Sequence, residues 1–345
     1  MKKLSCLLAV LIVIAAILAS CSSSGETAMS YGNQTVTDRM YRYWATQFKE
    51  YVMSSFSDSE DTDAFWNAQL ENGMTMEEYA DAIVLANVKK NLVCMKLFDE
   101  YGLKVSDEAY AAIDSDIADL VDSYGSKAAL NADLANSGIN VDILREIYVI
   151  QEKIAAVYSY MTSSGLISPS DDELEQYYTD HYARIKYITI IMSNITEGEN
   201  GKVNYSSLSE EERAVKEGKI AAVLDELEGG ADFDKVMEKY NEYDMTGYEN
   251  GVYISTNNSG YAIIDEALSM EIGEVRRIDQ DSACYIVKRL ELEKKPYLDD
   301  KMGQFSDLAA YCADEVFQNT LTEMASEITV NEDVIGRFEM SGLYY

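Results

Sequence analysis

One histidine in 345 residues excludes any mechanism or metal site that needs two imidazoles. It also argues against a Ser-His-Asp triad, for which no G-x-S-x-G elbow is present either. With two prolines and 19 glycines, collagen-like, Pro-rich and low-complexity chains are excluded. Positive charge is scarce: 28 Lys and Arg stand against 61 Asp and Glu, a net charge of −33. Such a surface repels nucleic acid and anionic lipid headgroups, so no nucleic-acid partner is expected. No phosphate loop occurs, since Gly229-Gly230 ends a helix and does not begin one. The pairs Asp171-Asp172 and Asp299-Asp300 lack the alternating spacing of a calcium loop and read as solvated surface. No cofactor and no metal follow from these patterns. Among aromatic residues Trp (2) and Phe (8) are few, whereas Tyr numbers 26. Phenol-rich surfaces are apolar with a polar tip and suit adaptable contacts with other chains.

Lys2 and Lys3 precede an uncharged apolar run over 4–20. At ~1.5 Å per residue it falls short of the ~30 Å hydrocarbon core of a bilayer. A basic start, an apolar middle and small residues at the end describe a secretory signal peptide over 1–20. Its end, Leu18-Ala19-Ser20-Cys21, resembles the bacterial lipobox, which implies lipidation of Cys21 and cleavage just before it. Residues 21–35, opening with Ser22-Ser23-Ser24-Gly25, read as a flexible tether. A doubly acylated anchor holds stably. The expected location is the extracytoplasmic face of a bacterial cell membrane. Cys6 leaves with the leader; the widely spaced Cys94, Cys284 and Cys312 form no metal pattern and read as buried thiols. A Cys94–Cys312 bridge requires that their helices be neighbours.

From about 36 to 160 the pattern is helical. Tyr110, Ile113, Ile117, Leu120, Val121 and Tyr124 recur at steps of three and four, and Leu144, Ile147, Tyr148, Ile154, Ala155 and Tyr158 make a second stripe. Thr75 with Glu78, and Ser170 with Glu173, are capping boxes. Pro169 and Pro296 bracket a different segment. Residues 185–192 are β-branched and aromatic and predict a strand. A polar loop with Gly198 and Gly201 follows, then helices over 215–227 and 232–240. A strand at 251–255, a helix at 263–270 and strands at 275–278 and 284–290 complete a β-α-α-β-α-β-β order. Residues 298–328 read as helix again, and an isolated helix has nothing of its own to pack on. It is expected to return to the first helical region. The fold class is α+β: a helical domain over 36–169 completed by the C-terminal helix within 296–345, with an inserted βααβαββ domain at 170–295.

Several segments now meet a known family. Tyr101-Gly-Leu-Lys-Val-Ser-Asp-Glu108 and Ser170-Asp-Asp-Glu-Leu-Glu-Gln-Tyr-Tyr178 occur in a familiar sequence. Gly230-Ala-Asp-Phe233, Asn250-Gly-Val-Tyr253, Ile264-Asp-Glu-Ala-Leu-Ser-Met-Glu-Ile-Gly-Glu-Val275 and Tyr285-Ile-Val-Lys288 follow. The chain resembles the SurA/PrsA-like extracytoplasmic foldases, which carry a parvulin-type peptidyl-prolyl isomerase domain. The resemblance implies a SurA-N-like chaperone domain with a parvulin-like insert. It also implies unfolded or newly secreted polypeptides as partners, and leaves a homodimer open.

The departures concern the chemistry. Active parvulins usually pair two histidines, one on the first strand and one on the last, where this chain has Tyr187 and Tyr285. His181, the one histidine, lies outside the motif and reads as an ordinary packed or surface residue. By resemblance, Ile264, Leu268, Met270 and Tyr253 line the proline pocket and Asp244 stands near the substrate carbonyl. Tyr187 and Tyr285 are expected to hydrogen-bond to each other across the strands in place of the imidazoles. Both also suit ordinary positions in a strand core, and Asp244 an ordinary loop. The expectation is a foldase with a weak or inactive isomerase domain. The alternatives are an active isomerase using tyrosines and a solute-binding lipoprotein, which needs two α/β lobes.

Overall fold

Helix starts obey the capping residues in the computed structural model, which describes residues 25–197, 203–258 and 260–344. The expected leader and the lipidation residue Cys21 lie outside the described residues. In α1 (Asp38–Ser55) the Thr37 hydroxyl accepts from the Met40 amide. In α2 (Met76–Glu100) Thr75 and Glu78 exchange both bonds of a capping box. Ser106 caps α3 (Asp107–Ser123), Ser126 caps α4 (Lys127–Leu134) and Asn140 caps α5 (Val141–Ser163). Each satisfies an amide that would otherwise lack a partner. The chain is mixed helix and sheet, and its described residues form two compact units, one of residues up to 168 with 314 onward, the other of 169–313.

In the first unit α2 buries Ala80, Val84, Val88, Leu92 and Met95, a stripe at steps of three and four. It packs on α1 and on the face of α5 that buries Leu144, Ile147, Ile150 and Val157. Phe317, Leu321, Val334 and Met340, from far along the chain, enter this same core. The tether expectation over 21–35 is corrected for the part that lies among the described residues. Residues Thr27–Tyr31 (β1) and Gln34–Thr37 (β2) pair as a hairpin, with Ala28, Met29 and Tyr31 buried. A strand from the C-terminal region, Thr329–Val330 (which takes the label β9), pairs antiparallel with β1. The short β1 gave no sign of this because its partner β9 lies far along the chain.

The C-terminal segment is held by α1. Lys49, fully buried, donates to the Leu343 carbonyl at 2.7 Å and lies 2.8 Å from Asp61 Oδ2. Its ammonium sits 5.6 Å from the Trp66 ring centroid, and Trp66 Nε1 donates to Asp61 Oδ1 at 2.7 Å. A different electrostatic feature lies on α2. Burial, with Glu77 and Glu339 adding to it, pushes Asp81 up to about 6. A carboxyl raised in the folded state contributes stability that is fully present below its unfolded value of ~3.9 and lost as pH rises through about 6. Asp81→Asn is therefore expected to gain on the wild type by about 1 kcal/mol as pH is raised from roughly 5 to 8, a figure kept small because the side chain is partly open to water. Urea midpoints at the two pH values measure it, and identical differences at both contradict it.

The second unit opens with α6 (Asp171–His181), capped by the Ser170–Glu173 box, and runs directly into β3 (Tyr182–Ile191). After β3 come β4 (Ser193–Glu197) and β5 (Val203–Ser207), then α7 (Glu210–Glu228) and α8 (Phe233–Tyr240). Strand β6 (Val252–Ser255), α9 (Ala262–Ser269), β7 (Val275–Asp279) and β8 (Ala283–Leu290) complete the α/β part. A four-stranded sheet of order β6-β3-β8-β7 has antiparallel pairing throughout. Successive side chains point to opposite faces. Ile188, Ile190, Cys284 and Ile286 meet Ile220 and Val223 of α7 and Phe233 and Val236 of α8. Ala183, Ile185, Ile254, Ile278 and Val287 meet Ala267 of α9 and Met270. Gly251, at φ +107°, lets the chain enter β6 against β3: a Cβ there would stand 2.8 Å from the Ile185 carbonyl oxygen.

Two further expectations are corrected. The polar loop after the first strand is a β4–β5 hairpin, so the order gains two strands. The helix expected over 298–328 is Leu308–Met324 (α10). Before it, Gly303 turns at φ +68° and the Asp300 carboxylate accepts from the Gln304 and Phe305 amides at 2.8 and 2.7 Å. Tyr297, Phe305, Leu308 and Cys312 pack with Tyr177, Tyr178, Tyr182 and Tyr253, so the second unit runs past 295 to 313.

Cys94, Cys284 and Cys312 are buried, and burial pushes the thiols of Cys94 and Cys284 up to about 12. Neither is a nucleophile at neutral pH. Among the described residues no helix is long and apolar enough to cross a membrane.

Candidate functional site

The sheet face that carries α9 is covered only in part. Three side chains stand together on it: Tyr187 and Thr189 from β3 and Tyr285 from β8, the two tyrosines packed against the cluster that α9 completes. Register explains the grouping. Thr189 lies opposite Tyr285 and Tyr187 opposite Val287, so the tyrosines are diagonal neighbours on one face. Their ring centroids are 6.0 Å apart at 76°, an edge-to-face contact.

The expected hydrogen bond between the two phenols does not form, because diagonal register turns one ring edge toward the other's face. Neither hydroxyl has a hydrogen-bond partner among the described residues. Burial holds the Tyr187 phenol above its ordinary range, with Tyr243, Tyr285 and Tyr248 adding to it. Burial does the same to Tyr285, helped by Tyr243 and Tyr205. Both are therefore neutral O–H donors at neutral pH. Between them Thr189 is 6% exposed, and its buried hydroxyl also has no partner.

Loop residues fix this arrangement from behind. The Thr189 amide donates to Asn241 Oδ1 at 2.7 Å and its carbonyl accepts from the Glu242 amide at 2.9 Å. Glu242 in turn accepts from the Ile191 amide and is held by Lys216 and Lys219 at 2.7 and 2.8 Å. That support places Tyr243, which is 60% exposed, beside the pair, while the hairpin brings Tyr205 near Tyr285. Reading the sequence missed Thr189, Tyr243 and Tyr205. Thr189 had a usable signal, two residues after Tyr187 on the same strand and so on the same face. Tyr205 had none, since it depends on an unforeseen hairpin.

The other expected site residues divide. Ile264 and Leu268 are half-buried on α9, Met270 is buried beside them, and all three belong to the face of Tyr187 and Tyr285. Tyr253 does not. Val252 and Ile254 take that face of β6, so alternation sends Tyr253 to the opposite side. There it packs 4.7 Å from Phe305 and donates to Glu293 Oε2 at 3.1 Å. Asp244 is exposed, and its Oδ1 accepts from both the amide and the hydroxyl of Thr246 at 2.9 and 2.6 Å. Those bonds lower its pKa and commit it to a local turn; the groups acting on Tyr187 and Tyr285 are phenols, not Asp244. His181 stacks on Tyr177 at 4.1 Å, and its Nδ1 is 3.0 Å from the Thr256 hydroxyl. Among the described residues no group of three or more His, Cys, Asp and Glu is arranged to hold a metal ion.

Chemically the face offers fixed, neutral hydroxyl donors beside an apolar wall, with no nucleophile and no ionised group aimed at it. That suits binding and polarising an amide rather than cleaving one.

No family model matches the chain, and no curated protein does. Among solved structures it is similar to PrsA from Bacillus subtilis, at 16% identity over 81% of this chain and 92% of that one, with a TM-score of 0.26. A foldase protein (PrsA) from Lactococcus lactis is 13% identical over 91% of this chain and all of that one, TM-score 0.28. A peptidylprolyl isomerase (PrsA) from Bacillus anthracis is 16% identical over 72% of this chain and 99% of that one, TM-score 0.26. At these scores the likeness identifies no residue and no activity.

Proposed function

We propose that this chain is a foldase for exported proteins, held by a lipid on Cys21 at the extracytoplasmic face of a bacterial cell membrane. Its clients are unfolded or newly secreted polypeptides, and its second unit is a parvulin-like domain that engages segments around proline. The signal-peptide pattern, the lipobox-like Cys21 and the motif series from Tyr101 to Lys288 support this reading. The observation that carries it is the sheet face on which the buried, partnerless Thr189 hydroxyl stands with the Tyr187 and Tyr285 phenols, a face shared with the apolar Ile264, Leu268 and Met270.

Rotation about a peptide bond faces a barrier of ~18–20 kcal/mol because it breaks amide resonance. Lowering that barrier requires an apolar seat for the proline ring and fixed dipoles that favour the twisted amide. Here α9 offers the seat and the phenols offer neutral donors. A solute-binding lipoprotein would need two α/β lobes, and among the described residues only the second unit has one.

A protease-coupled proline-peptide assay tests the enzymatic part. Tyr285→Phe and Tyr187→Phe are each expected to lower kcat/KM by on the order of tenfold, with folding intact because only an oxygen is removed. Wild-type rates equal to those in buffer would leave the domain a binding module. The foldase reading itself is tested by aggregation of an unfolded protein in the presence of the full mature chain; no suppression would remove it.

A further inference from the structure

In the first unit, α3 is amphipathic but only partly covered. Of its stripe, Ile113 is buried, Ile117, Leu120 and Val121 are half-buried, and Tyr110 and Tyr124 are exposed. What the sequence pattern marks for burial stays open to solvent along a groove of about 570 Å³ between α3 and α5. Ile113, Leu120 and Tyr148 form its apolar floor, and Asp116, Asp119 and Glu152 its walls.

Those three carboxylates make no ion pair among the described residues. The cations nearby are already engaged. Helix α3 has six acidic residues and no Lys or Arg. On α5, Arg145 is bound to Asp114 at 2.6 Å, and Lys153 lies over the Phe98 ring at 5.3 Å. The groove thus presents an uncovered apolar stripe between uncompensated negative charges.

We propose that this groove docks a basic, amphipathic polypeptide segment, its apolar face on Ile113, Leu120 and Tyr148 and its Lys or Arg side chains against Asp116, Asp119 and Glu152. The occupant follows from charge and shape together. A second copy of a chain carrying −33 would bring like charge to like. An acidic or uncharged amphipathic segment would leave the carboxylates unpaired against it. Helix-in-groove binding fits a floor whose Ile113 and Leu120 lie two turns apart on α3. The proposal rests on the client-binding reading above and narrows it: clients are captured first through segments that are both apolar and positively charged.

The test uses the full mature chain and a fluorescently labelled amphipathic peptide of Leu and Lys, with its Leu and Glu counterpart as comparison, read by anisotropy. The Lys peptide is expected to bind at least about tenfold more tightly, with most of that advantage gone when salt is raised from about 50 to about 500 mM. Asp116→Asn, Asp119→Asn and Glu152→Gln together should weaken it about tenfold, as expected for three exposed ion pairs. Neutralising Glu238, Asp281 and Glu291 instead should change little. Equal affinity for both peptides, an unaffected groove variant, or equal loss in the two triple variants would overturn the proposal. A dimer dispersed by the peptide in sedimentation would assign the groove to a second copy and also overturn it. Failure to suppress aggregation with peptide binding intact would remove the foldase reading alone; suppression unaffected by the groove variant would remove only this inference.

Discussion

Lys49→Met is expected to cost the first unit about 3–5 kcal/mol, because it strips one partner from a buried ion pair. The Lys49 side chain is wholly inaccessible, whereas Asp61 keeps 30% of its surface. Methionine fills a similar volume without an N–H. The Leu343 carbonyl then loses its donor, and Asp61 retains only the Trp66 indole. The melting temperature should fall on the order of 10 °C. Replacing both charges, Lys49→Met with Asp61→Leu, should recover part of the loss, since removing a buried pair costs less than breaking it. Urea unfolding of the two variants measures both effects. A single-variant loss below about 1 kcal/mol would mean that water reaches the ammonium in solution.

Phe305→Ala should be nearly as damaging in the second unit, at about 3–5 kcal/mol. Its ring lies 5.7, 5.5, 4.7 and 6.3 Å from those of Tyr178, Tyr182, Tyr253 and Tyr297. Tyr178 and Tyr253 cannot close the gap easily, because their hydroxyls are tied: Tyr178 donates to the Glu293 carbonyl and Tyr253 to the Glu293 carboxylate. Phe305→Leu retains most of the volume and should cost under about 1.5 kcal/mol. Thermal melts followed by near-ultraviolet tyrosine signals compare the two. Equal losses for Ala and Leu would point to the aromatic contacts themselves rather than to the cavity.

How much of this was legible depended on how far each feature reaches along the chain. Capping boxes at Thr75–Glu78 and Ser170–Glu173 were readable because both partners lie within one turn. Strand β3 was readable because it is a dense β-branched and aromatic run. Tyr187 and Tyr285 could be placed on two strands, but not their diagonal register, which decides that the phenols meet edge to face without bonding. Tyr253 was misplaced by a single step of alternation. The β4–β5 hairpin is polar and carries no apolar period, and its one facing apolar pair, Ile195 opposite Tyr205, is 50% and 63% exposed. The start of α10 was masked by Tyr297 and Phe305, which precede it and pack on the tyrosine cluster outside any α-helix. Asp244 was attractive by position alone; Thr246, two residues on, already satisfies it.

The pairing of β1 with β9, together with the Lys49 clamp on the C-terminal segment, sets an order of assembly during synthesis. Synthesis delivers β1 long before its partner strand β9. Residues 169–313, contiguous and self-contained, can complete their sheet while β1 still waits for its other neighbour. Closing so long a loop is slow, and until it closes the apolar side chains of α1 and α2 lack Phe317, Leu321, Val334 and Met340 to cover them. Completion of the first core therefore waits on the residues from Phe317 onward, and removing them should harm that core more than the second unit.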